Sequence, residues 1–122
     1  MRPWLFIAAM MGALAVVCGA FAAHGLEAQL DARARAIFET GARYQMYHAL
    51  AMGLAALAMR GDATGRARLA AMLFLAGILL FSGSLYLLAL TGIAGLGLVT
   101  PIGGLAFIAG WICLALAALR QP

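Results

Sequence analysis

The chain has two histidines, and each stands where a long apolar run meets a polar stretch. His24 lies in Gly19-Ala20-Phe21-Ala22-Ala23-His24-Gly25-Leu26, and His48 in Tyr44-Gln45-Met46-Tyr47-His48-Ala49-Leu50. Imidazole titrates near neutral pH and is the commonest metal ligand, so any chemistry starts from these two side chains. Tyr44 and His48 are four apart and Gln45 and His48 three apart, which sets all three on one helix face. Ser82 and Tyr86, again four apart, share a face further on, with Ser84 between them in sequence. Such groups can hold a polar molecule, an ion or a head group, relay a proton, or bond to one another.

A metal centre asks for more. Met46 or Met52 would add soft donors to the two imidazoles, as copper tolerates, but no Cys or carboxylate stands at ligand spacing. Cys18 and Cys113 lie inside apolar runs, like small polarizable core residues, and form neither a disulfide framework nor a zinc motif. Nucleophilic catalysis is poorly served too. Phe81-Ser82-Gly83-Ser84-Leu85 lacks the Gly-x-Ser-x-Gly setting, no strand precedes it, and no apolar segment carries an acid to orient a histidine. We therefore assign no catalytic residue, metal ligand or cofactor.

The elements that position these groups follow from composition. With 66% hydrophobic and 10% charged residues, too little polar surface remains to cover a soluble globule, and the natural solvent is a bilayer. All eight basic residues are Arg. The net charge of +4 is spread along the chain, with no run suited to a nucleic-acid backbone, so its roles are orientation and contact with anionic lipid head groups.

The first apolar segment covers about 3–23, and some 20 helical residues span roughly 30 Å, the thickness of the hydrocarbon core. Arg2, the apolar stretch and Ala20-Phe21-Ala22 also have the outline of a signal peptide, but we read a retained span. From about 26 to 39, Leu26, Leu30, Ala34, Ile37 and Phe38 recur at helical spacing, while Glu27, Asp31, Arg35 and Glu39 form a charged stripe. This predicts an amphipathic helix at the membrane surface, with Asp31–Arg35 and Arg35–Glu39 in pairing register. Thr40-Gly41 ends it. Further spans follow at about 42–59, 69–90 and 101–119, with Thr91-Gly92 as a helix C-terminus and Thr100-Pro101 as an N-cap and first helical position. The expectation is an all-α, single-domain, integral membrane four-helix bundle with a short interfacial helix between spans 1 and 2.

If the N-terminus is cytoplasmic, five arginines (2, 60, 66, 68 and 120) lie inside against three (33, 35 and 43) outside, which orients both termini toward the cytoplasm. Whichever way the chain faces, His48 lies five residues past Arg43 and Tyr86 five before Thr91, each roughly 7 Å from the same surface. Ser82 lies roughly 13 Å down. Depth and spacing together predict one polar cluster of His24, Tyr44, Gln45, His48, Ser82, Ser84 and Tyr86. Unpartnered polar groups are costly in hydrocarbon, so they should point inward and bond one another.

Two functions compete for that cluster. It is either interhelical glue in a non-enzymatic membrane component that packs against itself, a partner protein or lipid, or a site that binds or transports a small polar ligand, ion or proton. The partners expected are membrane lipid and a homo-oligomer or another membrane protein.

Four blocks resemble the signature blocks of domain-of-unknown-function family 423, small bacterial inner-membrane proteins related to animal transmembrane protein 256. They are Gly19 to Leu26, Tyr44 to Leu50, Phe81 to Tyr86, and Thr100-Pro101-Ile102-Gly103-Gly104. The resemblance covers essentially the whole chain, with the blocks in order. Ala22 departs from the Gly more usual in the family, which bears on packing at that turn. The resemblance implies a four-helix inner-membrane protein and brings no established activity and no catalytic residues.

Overall fold

The uncharged run after Arg2 winds into α1 (Arg2–Ala20), which continues through a π-helical turn at Phe21–Gly25. A computed structural model describes residues 1–121, and among them there is helix and turn but no strand. Four further helices follow: α2 (Ala32–Leu57), α3 (Thr64–Gly77), α4 (Gly83–Thr91) and α5 (Thr100–Ala118). A π turn at Ile78–Ser82 joins α3 to α4 without a break, so Gly61–Thr91 forms one continuous rod of 31 residues. Three rods, Arg2–Gly25, Gly61–Thr91 and Ala94–Ala118, are long and apolar enough to cross a membrane.

The stretch between the first and second apolar runs departs from expectation. There is no separate helix over 26–39. Residues 26–30 form turns, in which the Gln29 and Leu30 amides donate to the Leu26 carbonyl, and a single 26-residue helix then runs from Ala32 through Thr40-Gly41 to Leu57. Asp31, expected in the charged stripe, caps this helix: its Oδ1 accepts from the Ala34 amide at 2.7 Å. Thr40 does not stop the helix because its hydroxyl donates back to the Ala36 carbonyl at 2.9 Å. Gly41 is there for packing. A Cβ on it would lie 2.8 Å from the Tyr86 ring and 3.3 Å from the Ser82 carbonyl oxygen.

Packing follows the order α1 on α2, α2 on the α3–α4 rod, and that rod on α5, with α2 and α5 in slight contact. The ring of a four-helix bundle is not closed, since α1 and α5 make no appreciable interface. The α3–α5 seam is built from rings set into glycines. Phe74 faces Gly110, Phe107 faces Gly77, and the Phe81 backbone faces Gly103. Added Cβ atoms would collide at all three, so glycine here permits the close approach on which lipid-embedded helices rely. The main core joins Ala8, Ala51, Met52, Ala55, Ala70, Ala71, Phe74, Ile78 and Phe107.

At the chain ends of these rods, Gly92 takes the left-handed conformation (φ 73°) that closes α4, as the Thr91-Gly92 pair suggests. Pro101 stands at the start of α5, where a missing N–H costs nothing. Thr100 is not the N-cap as expected: Val99 takes that position, Thr100 is the first helical residue, and its hydroxyl pairs with Ser84.

Candidate functional site: an intramembrane hydrogen-bond network

Gln45 is the hub. It is buried on α2, and its side chain reaches two other helices. The amide nitrogen donates to the Met11 carbonyl of α1 at 2.9 Å, and the amide oxygen accepts from the Tyr86 hydroxyl of α4 at 2.6 Å. The Tyr86 ring packs on Phe38, 4.7 Å between centroids, one turn above the Gly41 gap that admits it. A donor and an acceptor on one side chain therefore tie three helices at a single level.

His48, three residues further along the same face, makes a second group. Its Nδ1 lies 2.8 Å from the Tyr44 carbonyl, and the Trp111 indole N–H of α5 donates to its Nε2 at 3.2 Å. A donor facing Nε2 assigns the ring proton to Nδ1, so the imidazole is neutral with both nitrogens engaged. Phe107 stacks on it, 3.5 Å between centroids and 7° between planes. Held this way, His48 has no free lone pair for a metal or a nucleophile.

The serines complete the set without touching the histidine. Ser82, fully buried as the last residue of the π turn, donates to the Gly41 carbonyl of α2 at 2.7 Å. Ser84 pairs with the Thr100 hydroxyl of α5 and with the Phe81 carbonyl of its own rod. Among the described residues, no buried side-chain nitrogen or oxygen is left without a partner.

Six of the seven residues expected to cluster share this region, in unequal roles. Gln45, His48, Ser82, Ser84 and Tyr86 bond through their side chains. Tyr44 lies at the edge, 38% exposed, offering its backbone carbonyl to His48 and its ring to Phe81. His24 is not among them. It is exposed in the π turn past α1, whereas His48 lies level with Gly12, whose Cβ position is 4.0 Å from Ala49. Twelve residues of helix rise separate those levels, about 18 Å. The two imidazoles therefore cannot share a ligand. Trp111 and Thr100 join as partners from outside the expected cluster: both belong to the span that descends from this side, so depth places them in the same half, but which way they face depends on the rotation of α5.

Beside His48 an apolar cleft of about 390 Å³ opens between α2 and α5, with Phe81, Leu105, Ile108 and Trp111 on its walls. Tyr44 and His48 also line it, but both ring nitrogens of His48 are taken up in bonds to the Tyr44 carbonyl and the Trp111 indole, so the histidine serves here to fasten helices.

Residues 18–104 match the family described as "Protein of unknown function (DUF423)". The chain is 44% identical over 121 residues to the UPF0382 membrane protein YwdK of Bacillus subtilis, with 98% of each chain covered. The chain belongs to the DUF423 family. A UPF0382 membrane protein of Haemophilus influenzae is 44% identical to it over 120 residues, covering 98% of this chain and 96% of that one. One from Staphylococcus epidermidis is 42% identical over 120 residues, with 98% of each covered. No solved structure matches. With relatives named as membrane proteins and three rods able to span, this DUF423 chain is a membrane protein, and the family name assigns it no reaction.

Proposed function

We propose that this DUF423 protein is a non-enzymatic component of the bacterial inner membrane, with both termini cytoplasmic, that packs against itself, a partner protein or lipid. In this reading α2 is a fourth spanning helix and the polar network is the glue that holds it. The observation that carries the reading is closure of the network: its buried polar side chains bond to one another or to backbone, and none is left over. A ligand or ion site keeps donors or acceptors for its ligand. Connectivity supports the fourth span. α1 and the α3–α4 rod both cross, and α2 must return the chain from one to the other. Its 26 residues rise about 39 Å, enough to do so.

Changing His48 to Phe tests the glue. The ring shape against Phe107 is kept while two hydrogen bonds are removed. The expected result is a lower melting temperature in detergent, with native mass spectrometry showing the same oligomeric state as the unaltered protein and no difference in bound species. Loss of a stoichiometric small molecule or ion from the variant, at unchanged melting temperature, would replace this reading with the binding or transport one.

A further inference from the structure

One end of the molecule holds the whole of the net charge. Where α1 and α3 begin and α2 and α5 finish, Arg2, Arg60, Arg66, Arg68 and Arg120 stand against Asp62 alone. The opposite end balances Arg33, Arg35 and Arg43 against Glu27, Asp31 and Glu39, so the +4 resides at the first.

Two of these arginines border one cavity. Arg60, just past α2, and Arg120, just past α5, line a space of about 400 Å³ together with Gly61, Asp62 and Gln121. The cavity has a fixed frame. Gln121 donates through Nε2 to the Ala58 carbonyl at 2.8 Å, tying the tail of α5 to the end of α2. Arg66 reaches the Leu116 carbonyl at 3.4 Å, tying α3 to the last turns of α5. Beneath, Ala63, Ala67 and Ala117 pack with no exposed surface. Gly61, at φ 49°, makes the sharp turn that leaves Arg60 on the rim.

Helix C-termini ordinarily repel anions through their free carbonyls. Here several are engaged: Ala58 by Gln121, Ala117 by the Arg120 amide, Ala118 by the Gln121 amide. Among the described residues the Arg60 and Arg120 guanidinium groups donate to no protein acceptor and are exposed. We propose that this cavity binds the phosphodiester head group of an anionic phospholipid, held between the Arg60 and Arg120 guanidinium groups. Guanidinium forks match phosphate oxygens, and basic pockets at the ends of membrane helices are suited to acidic lipid head groups. The level is right, since both arginines sit just past the ends of their helices. The exposed Leu116 and Leu119 alongside give acyl chains an apolar path, which a free phosphate would not use. Asp62 on the rim opposes the anion and sets a limit on affinity. The site lies away from the polar network, so it stands or falls independently of the glue reading.

Native mass spectrometry of the full chain, titrated with phosphatidylglycerol against phosphatidylcholine, tests the site. Phosphatidylglycerol should be retained preferentially, and R60Q/R120Q should lower its retention about tenfold, as expected for lost charge-assisted bonds. R33Q/R35Q at the neutral end should leave it unchanged, and Asp62→Asn should raise it. Inorganic phosphate at millimolar concentration should not displace the lipid. Equal losses in the two double variants would reduce the effect to general charge attraction and overturn the proposal. Displacement by phosphate would overturn it in favour of a free-anion site. R60K/R120K, which keeps the charge, guards against a folding defect: it should retain more lipid than R60Q/R120Q at the same melting temperature.

Discussion

α1 and α2 lie side by side and reverse the rule that holds in water. From Pro3 to Ala23 the first has no charged residue, yet within α1 only Ala8 and Ala15 are buried, while Phe6, Leu14, Val16 and Val17 face outward. α2 carries Arg33, Arg35, Glu39, Arg43, Gln45 and His48, and buries ten residues, Gln45 and His48 among them. A bilayer solvates leucine as well as another helix does, so apolar surface gains little by hiding. Polar side chains and close-packing small ones do gain, because unpartnered groups in hydrocarbon cost several kcal/mol each. Gly41, Ala42, Ala49, Ala51, Ala55 and Ala56 let neighbours approach α2, and its polar groups hold them there. The helix that looks least like a membrane span is therefore the one that α1 and the α3–α4 rod both pack against.

The hardest blow to that arrangement falls at Gly41. Leucine there would drive its first carbon into the Tyr86 ring, 2.8 Å away, and against the Ser82 carbonyl, with no room to turn. Overpacking of this kind costs about 1–3 kcal/mol. It also displaces the Ser82 hydroxyl from the Gly41 carbonyl. Gly41→Leu should lower the melting temperature in detergent more than Gln45→Leu or His48→Phe on the same helix. Gly53→Ala on the same helix meets nothing within 4 Å and should leave the protein as stable or more so, since alanine favours helix. Equal damage from both would mean that α2 is not packed as described.

A smaller effect separates polarity from hydropathy. Gln45→Leu makes α2 more apolar and by any hydropathy scale a better span. It also strips the partner from the Tyr86 hydroxyl and from the Met11 carbonyl. We expect a loss of about 1–2 kcal/mol, from two interhelical bonds of the size measured in membrane proteins. A double-mutant cycle with Tyr86→Phe isolates the pair, with a coupling of about 0.6 kcal/mol and at most about 1.7. A stabilised Gln45→Leu would show that α2 is buried for its small residues alone.

Much of this was legible in the chain. The uncharged run that becomes α1, the Gly92 stop and the Pro101 start are local signals, and local signals decide helix ends. The i, i+3 spacing of Gln45 and His48 likewise fixes their common face on any helix. What could not be read was tertiary. Thr40-Gly41 has the look of a breaker because the reason for glycine there is the Tyr86 ring, which arrives from a helix far along the chain. Depth along the chain groups His24 with His48. Its place beyond the end of α1 depends on how far the π turn carries the chain. Trp111 and Thr100 are not legible as partners because their reach depends on the rotation of α5, and the glycines facing Phe74, Phe81 and Phe107 set that rotation only once the rods are packed.

The smallest predicted effect is the most diagnostic of how α5 joins the network. Trp111 is 43% exposed toward lipid, yet its indole N–H turns inward to His48. Trp111→Phe keeps an aromatic ring beside Phe74 and removes one donor. The cost should be about 0.6 kcal/mol, typical of one interhelical bond. Removing the donor should not move the ring proton, because Nδ1 faces the Tyr44 carbonyl, and two acceptors meeting there would be worse than an idle Nε2. Nitrogen NMR of labelled histidine reads this directly. His48 should keep a protonated Nδ1 in both proteins, while its Nε2 resonance moves as the indole bond is lost. A Nε2 signal that does not respond would mean that Trp111 serves α5 as a lipid-facing ring only. α5 would then be held by its glycine seam and by the Ser84–Thr100, Arg66–Leu116 and Gln121–Ala58 bonds, with no polar link to His48 at the level of the network.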